Sequence, residues 1–173
     1  MQEANQCKDI TMKTYLQSIK DISTADKEHT KRTQLENFLN RIKDKLAQNN
    51  KELLNLHIKH EPNNDKEGRG APDFQVLSQG LSIGYIENKR VNADLDSILQ
   101  SPQIEKYLSL SDNLMLTDYL RFVLVRKSEK GKAQIVQECR ICELSQVKEM
   151  AKASQSKCLS AAGGGGIIKP FRI

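Results

Sequence analysis

Between Leu35 and Leu46 the apolar residues Leu35, Phe38, Leu39, Ile42 and Leu46 recur at spacings of three and four, which predicts an amphipathic helix. Thr30 is the expected N-cap, and the pattern runs out in Gln48-Asn49-Asn50. A looser helical pattern (Ile10, Tyr15, Ile19, Ile22) precedes it and is broken by Ser23-Thr24-Ala25-Asp26. Leu53 to Ile58 reads as a strand, and Glu61 to Gly70 as a polar loop. The apolar runs Asp73–Leu77 and Leu81–Lys89 flank Ser78-Gln79-Gly80, the mark of a hairpin. Ser101-Pro102 opens a helix, cap followed by proline, with Ile104, Tyr107 and Leu108 as its apolar face. Leu114–Leu116 and Tyr119–Val125 read as strands around Thr117-Asp118. Ile135–Leu144 reads as another strand, and Val147–Leu159 as a polar helix. Helix, strands, helix, strands is the order of an α/β domain on a small mixed sheet.

A chain of 173 residues has room for one such domain and a flexible end. Its 27 basic against 22 acidic residues leave a surplus of +5, which suits a polyanion and equally suits an ordinary solvated surface. No apolar run nears the ~20 residues of a membrane span. The first residues, Met1 to Gln6, are too polar for a secretory signal, so the expected location is cytoplasmic. Cys139 and Cys142 have zinc-ligand spacing. They lack a second close pair, however, and reduced thiols along a partly buried strand are the simpler reading.

The chemistry worth pursuing lies in the hairpin. Asp73 and Glu87 are separated by thirteen residues, and Lys89 follows Glu87 by two. Alternate residues of a strand point the same way, so Glu87 and Lys89 share a face. With Ser78-Gln79-Gly80 as a three-residue loop, Leu77 pairs Leu81 and Asp73 falls opposite Tyr85. Asp73 is then diagonal to Glu87 on the same face, roughly 7–8 Å away between backbones. A two-residue loop would turn the carboxylates to opposite faces. Two carboxylates and a lysine so placed are what Mg²⁺-assisted phosphodiester hydrolysis requires: oxygen ligands for the ion, and a cation near water and developing charge.

The segments Gly70-Ala71-Pro72-Asp73-Phe74 and Gly84-Tyr85-Ile86-Glu87-Asn88-Lys89 carry a family resemblance. With them go Gln103 to Leu108, Asn113 to Phe122, and Glu28-His29-Thr30 with the helix after it. Residues 28 to 126 resemble the PD-(D/E)XK nuclease segment at the N-terminus of restriction enzymes fused to N6-adenine methyltransferases, type IIG and type ISP-like. The resemblance implies an α/β, restriction-endonuclease-like core, a small mixed β-sheet flanked by helices. It also implies Mg²⁺-dependent cleavage of double-stranded DNA. Asp73 and Glu87 would hold the metal, with the backbone carbonyl of Asn88 and the side chain of Glu28 as further ligands. Lys89 would be the catalytic base or electrostatic stabiliser. Gln103 and Tyr107 would contact DNA or steady the site, or else be an exposed glutamine beside a core tyrosine.

The expected organisation is an N-terminal helical extension over 1–27, a nuclease domain over 28–145, a C-terminal helix over 146–160 and a Gly-rich tail over 161–173. The methyltransferase motifs of the fused enzymes are missing. A methyltransferase or specificity region in cis and a homodimer on DNA are accordingly expected partners of the working enzyme. Gly163 to Gly166 can be written as one guanine tract, so two readings of the tail stand: a flexible linker, or the product of a slipped reading frame. A truncated, non-catalytic fragment and a zinc-binding module are the competing readings of the whole chain.

Overall fold

A computed structural model of the chain describes residues 11–60 and 71–152. The expected polar loop, the expected Gly-rich tail and the expected C-terminal helix beyond residue 152 lie outside the described residues. Residues 11–18 form α1. There follow α2 (Arg32–Ala47), a 3-10 turn (Lys51–Asn55), β1 (Leu56–His60), β2 (Phe74–Ser78) and β3 (Leu81–Asn88). The second half comprises α3 (Leu95–Ile98), α4 (Pro102–Leu110), β4 (Leu114–Thr117), β5 (Arg121–Lys127), β6 (Ala133–Arg140), a 3-10 turn (Leu144–Gln146) and α5 (Val147–Lys152).

The six strands form one sheet in chain order, β1 to β6. Every neighbouring pair is antiparallel except β3 and β4, which run parallel. A parallel pair needs a crossover, and α3 and α4 supply it. Strand alternation then divides the apolar residues into two cores. Phe74, Ile86 and Phe122 pack with Tyr15, Leu16, Ile19, Leu35, Phe38 and Val147. Leu114, Leu116, Val123 and Val125 pack with Leu95, Leu99, Ile104 and Leu108. Glu87 has the parity of Tyr85, which packs against the second core, while Asn88 has that of Ile86 in the first.

Several sequence expectations need correction. α2 begins one residue past Lys31, and Thr30 does not cap it: Arg32 N–H instead donates to the His29 carbonyl at 3.1 Å across a preceding turn. Its last apolar position, Leu46, is exposed, and Ala47 is buried in its place. Leu53–Asn55 belongs to a 3-10 turn, so β1 starts only at Leu56. The helix α3 went unforeseen, although Asp94 caps it through a 3.1 Å bond from Ser97 N–H.

The hairpin correction matters most. Its loop has two residues, since Ser78 pairs Leu81, and Gln79 and Gly80 both take positive φ (51° and 81°) as a type I′ turn requires. By itself that register would put Asp73 and Glu87 on opposite faces. A bulge reverses the parity. Leu77 pairs Ser82 but Val76 pairs Gly84, leaving Ile83 as an extra residue on β3. Beyond it Gln75 pairs Tyr85 and Phe74 pairs Ile86, so continuing the ladder by one residue sets Asp73 opposite Glu87.

Phe74, fully buried, fastens the residue after Asp73 into the first core, with His60 stacked on it at 5.1 Å between ring centroids. Phe74→Ala is expected to destabilise the chain by about 3–5 kcal/mol in urea denaturation, the cost of an unfilled aromatic cavity.

Candidate metal and catalytic site

Four segments meet at the C-terminal end of β3, which lies third among the six strands and is no edge. Asp73 enters from the residue before β2 and Glu87 from the end of β3. Lys89 comes from just past β3, Glu28 from the turn before α2, and Gln103 from the first turn of α4. Carboxylate oxygens of Glu28, Asp73 and Glu87 lie within 4.8 Å of one another, and among the described residues no other three potential ligands come so close. Asp73, Glu87, Lys89 and Glu28 are thus brought together as expected.

Asp73 is held at both oxygens. Oδ2 accepts the Asn88 backbone N–H at 2.7 Å, and Oδ1 accepts from the Arg32 guanidinium, which also reaches His29 Nδ1. Arg32 is itself buried. Sequence reasoning missed it, and the available signal was a cation at the opening of an otherwise apolar helix face. Lys89 Nζ donates to Glu87 Oε1 at 2.7 Å, to Gln103 Oε1 at 2.9 Å and to Glu28 Oε1 at 3.3 Å. The amide of Gln103 points its other end at Glu87 Oε1 (3.0 Å) and at the Tyr107 hydroxyl (3.1 Å). Tyr107 in turn donates to the Ala71 carbonyl at 3.2 Å, tying α4 to the approach to Asp73. Both expectations for this pair meet in the geometry: Tyr107 is a buried core residue and Gln103 an exposed one, and the Gln103 amide bonds Lys89 and Glu87 together.

Glu28 comes from a turn, and its position is secured through its backbone. The Glu28 carbonyl accepts from Asn88 Nδ2 at 2.7 Å and from the Tyr119 hydroxyl at 2.5 Å. Tyr119 pays for that reach with a positive φ of 76°, an uncommon conformation for an aromatic residue. Its own carbonyl accepts the Tyr15 hydroxyl at 2.9 Å. The Asn88 side chain thereby acts in the site, a role not foreseen beside that expected of its carbonyl.

Charge is the main cost of this arrangement. Burial, then the charge of Asp73, push the Glu87 carboxyl up to about 7, against the opposing hydrogen bond from Lys89. Burial also raises Asp73, although the Asn88 N–H and Arg32 resist it. Burial alone would lower Lys89, but its bonds and proximity to Glu87 and Glu28 outweigh that and raise it. The proton of the Glu87–Lys89 pair therefore stays on the amine. One Glu87 oxygen, Oε2, is buried with no hydrogen-bond partner. A buried, unpaired carboxylate oxygen beside two further carboxylates is a donor set suited to a hard divalent cation.

Cys139 and Cys142 do not join any such cluster among the described residues. Burial raises both thiols.

No protein-family model matches the chain, and no curated protein matches it. Among solved structures it is similar to a DrdV–DNA complex determined by electron cryomicroscopy. The TM-score is 0.51 and the identity 21%, over 83% of this chain and 13% of that one. The fold is a mixed α/β, restriction-endonuclease-like core, and this chain spans about an eighth of the length of the protein that shares it. No described helix is long and apolar enough to cross a membrane.

Two outcomes follow from the charges. Folded Glu87 keeps its proton to about pH 7 whereas an unfolded one releases it near 4.5, so between these values the native chain binds more protons. Stability of the metal-free chain should therefore fall as pH rises through that window, by at most about 3 kcal/mol. Glu87→Gln should flatten the slope in thermal melts taken from pH 4.5 to 7.5. Arg32→Met strands Asp73 as a buried charge and should cost about 3–5 kcal/mol in urea denaturation, partly restored by a divalent cation.

Proposed function

We propose that the chain is the nuclease domain of a restriction–modification enzyme, hydrolysing phosphodiester bonds of double-stranded DNA with Mg²⁺. The observation that carries this reading is the convergence of three carboxylates within 4.8 Å, with a lysine ammonium bonded to two of them. The shared fold with a protein seen bound to DNA supports DNA as the partner. The surplus of positive charge agrees with it.

Asp73, Glu87 and Glu28 would hold the ion, with the Asn88 carbonyl as a further ligand. Bound there, Mg²⁺ neutralises phosphate charge and activates water. Lys89 keeps its proton, so its assigned work is electrostatic: it donates to the attacking oxygen or to the phosphoryl oxygens as they gain charge. A proton-accepting role suits it less. Gln103 steadies Lys89 and Glu87 together, and Tyr107 fixes Gln103. Arg32 and the Asn88 N–H aim Asp73 before the ion arrives. Cutting both strands with one site per chain calls for two chains on DNA. Recognition of a target sequence is assigned to a specificity and methyltransferase region outside this domain.

Incubating the chain with supercoiled plasmid is expected to give nicked and linear forms with MgCl₂ and none with a chelator. Lys89→Ala should retain its fold by circular dichroism and lose about 10²–10³-fold in rate, the scale of removing one preorganised donor. Cutting by Lys89→Ala at the parental rate would overturn its role. A folded parent that leaves plasmid intact with Mg²⁺ and with Mn²⁺ would leave the non-catalytic fragment as the correct reading.

A further inference from the structure

The residues that form the site do not choose the register that assembles it. A regular two-residue hairpin over this sequence would pair Asp73 with Ile86 and turn it away from Glu87. Only the extra residue, Ile83, brings Asp73 opposite Glu87. What stabilises a bulge at that position is therefore part of the site's construction, about four residues from the nearest carboxylate on β3.

Asn113, the residue before β4, clasps the bulge from both sides. Its Nδ2 donates to the carbonyl of Ile83 at 3.0 Å, and its own carbonyl accepts the N–H of Tyr85 at 3.0 Å. The Ser111 hydroxyl adds a longer 3.5 Å bond to the same Ile83 carbonyl. Between the two clasped residues lies Gly84, where a Cβ would come 3.0 Å from the Asn113 carbonyl oxygen and 3.3 Å from its Cβ. The close approach favours glycine, since any side chain there would push Asn113 back by a few tenths of an ångström. Asn113 Oδ1 accepts from Arg126 Nε at 3.0 Å, which orients the amide with its nitrogen toward Ile83. A bulge leaves its extra residue outside the regular ladder, and here the displaced carbonyl is supplied with a side-chain donor.

We infer that Asn113 is a positioning residue for the proposed metal site: by holding the Ile83 bulge it selects the strand register in which Asp73 faces Glu87. The inference rests on the cation reading of that site only for its binding readout, since the register itself can be observed directly.

The experiment uses the full 173-residue chain as parent, Asn113→Ala, Asn113→Asp, a deletion of Ile83, and the deletion combined with Asn113→Ala. Deleting Ile83 removes the bulge but leaves every other pair as it stands, Asp73 opposite Glu87 included, so this protein no longer needs the clasp. Cross-strand backbone contacts between Gln75 and Tyr85, read by NMR without metal, report the register. Titration calorimetry with MgCl₂, and with CaCl₂ as a second probe, reports the site.

In the parent background Asn113→Ala should lose the Gln75–Tyr85 contact and weaken Mg²⁺ binding at least about tenfold. Asn113→Asp should do the same, because it retains the shape and the bond from Arg126 but lacks the donor to Ile83. In the deletion background Asn113→Ala should change neither readout by more than about twofold, as expected for uncoupled changes. Equal losses in both backgrounds, or a parental register in Asn113→Asp, would overturn the inference. Should the deletion protein not fold, the parent background still decides: a parental register in Asn113→Ala or in Asn113→Asp would overturn the inference. A parent that binds neither cation sinks the metal reading instead, with the NMR contacts still deciding the role of Asn113.

Discussion

Three carboxylates packed within 4.8 Å repel one another, and most of the surrounding structure can be understood as the means of tolerating that. Asp73 and Glu87 are largely withdrawn from water, where an isolated carboxylate would simply take up a proton. Two cations offset the charge: Arg32 on Asp73, and Lys89 shared between Glu87 and Glu28. Burial first, and then the excess of three negative over two positive charges, are visible in the Glu87 carboxyl at about 7. A buried ion cluster is rarely a source of stability. Its retention here, with one carboxylate oxygen unpartnered, argues for a use that needs charge at this spot.

The sheet explains why the cluster can exist at all. At the interior of a sheet the backbone groups are paired with both neighbours, so side chains there are held to a small range of positions. β3 lies between an antiparallel and a parallel neighbour. Its end is clamped by Lys89 N–H donating to the Thr117 carbonyl at 2.7 Å and by Asn88 N–H donating to Asp73. Two separate cores, one on each face, take up Ile86 and Tyr85 in the second half of β3, next to the site. Only Glu28 arrives on a turn, and its backbone carbonyl is fastened twice, by Asn88 and by Tyr119.

How much of this was legible in the sequence depended on whether the deciding contact was local. Glu87 and Lys89 on one face follow from strand parity alone, and the Ser101-Pro102 helix start follows from its cap. The face of Asp73 came out right from a wrong loop. A three-residue loop and a two-residue loop with a one-residue bulge shift parity alike, so the two errors cancelled. Nothing in Ile83 itself announces a bulge, because the donor that stabilises it is Asn113, thirty residues away. Arg32 carried only a faint local signal, a cation at the opening of an apolar helix face, and its partner Asp73, forty-one residues on, is what gives that signal its meaning. Tyr119 was read as a strand residue, yet its left-handed backbone serves a bond to Glu28 ninety-one residues away.

The two cations differ in a way that bears on how an ion would be received. Arg32 is planar and buried, and it grips Asp73 from the opening of α2, so moving it would disturb the first core. Lys89 reaches the carboxylates on a flexible stem, and its three oxygen partners come from a turn, a strand and a helix. In the metal-free chain its ammonium occupies the region where Glu28 and Glu87 converge, which is the place an arriving divalent cation would compete for. Displacing a lysine from two carboxylates leaves the backbone where it is; displacing the arginine would not. The proposed chemistry therefore needs one fixed cation to aim Asp73 and one mobile cation that gives way to the ion and then remains beside the reacting phosphate. The division between Arg32 and Lys89 supplies that pair without requiring any strand to move.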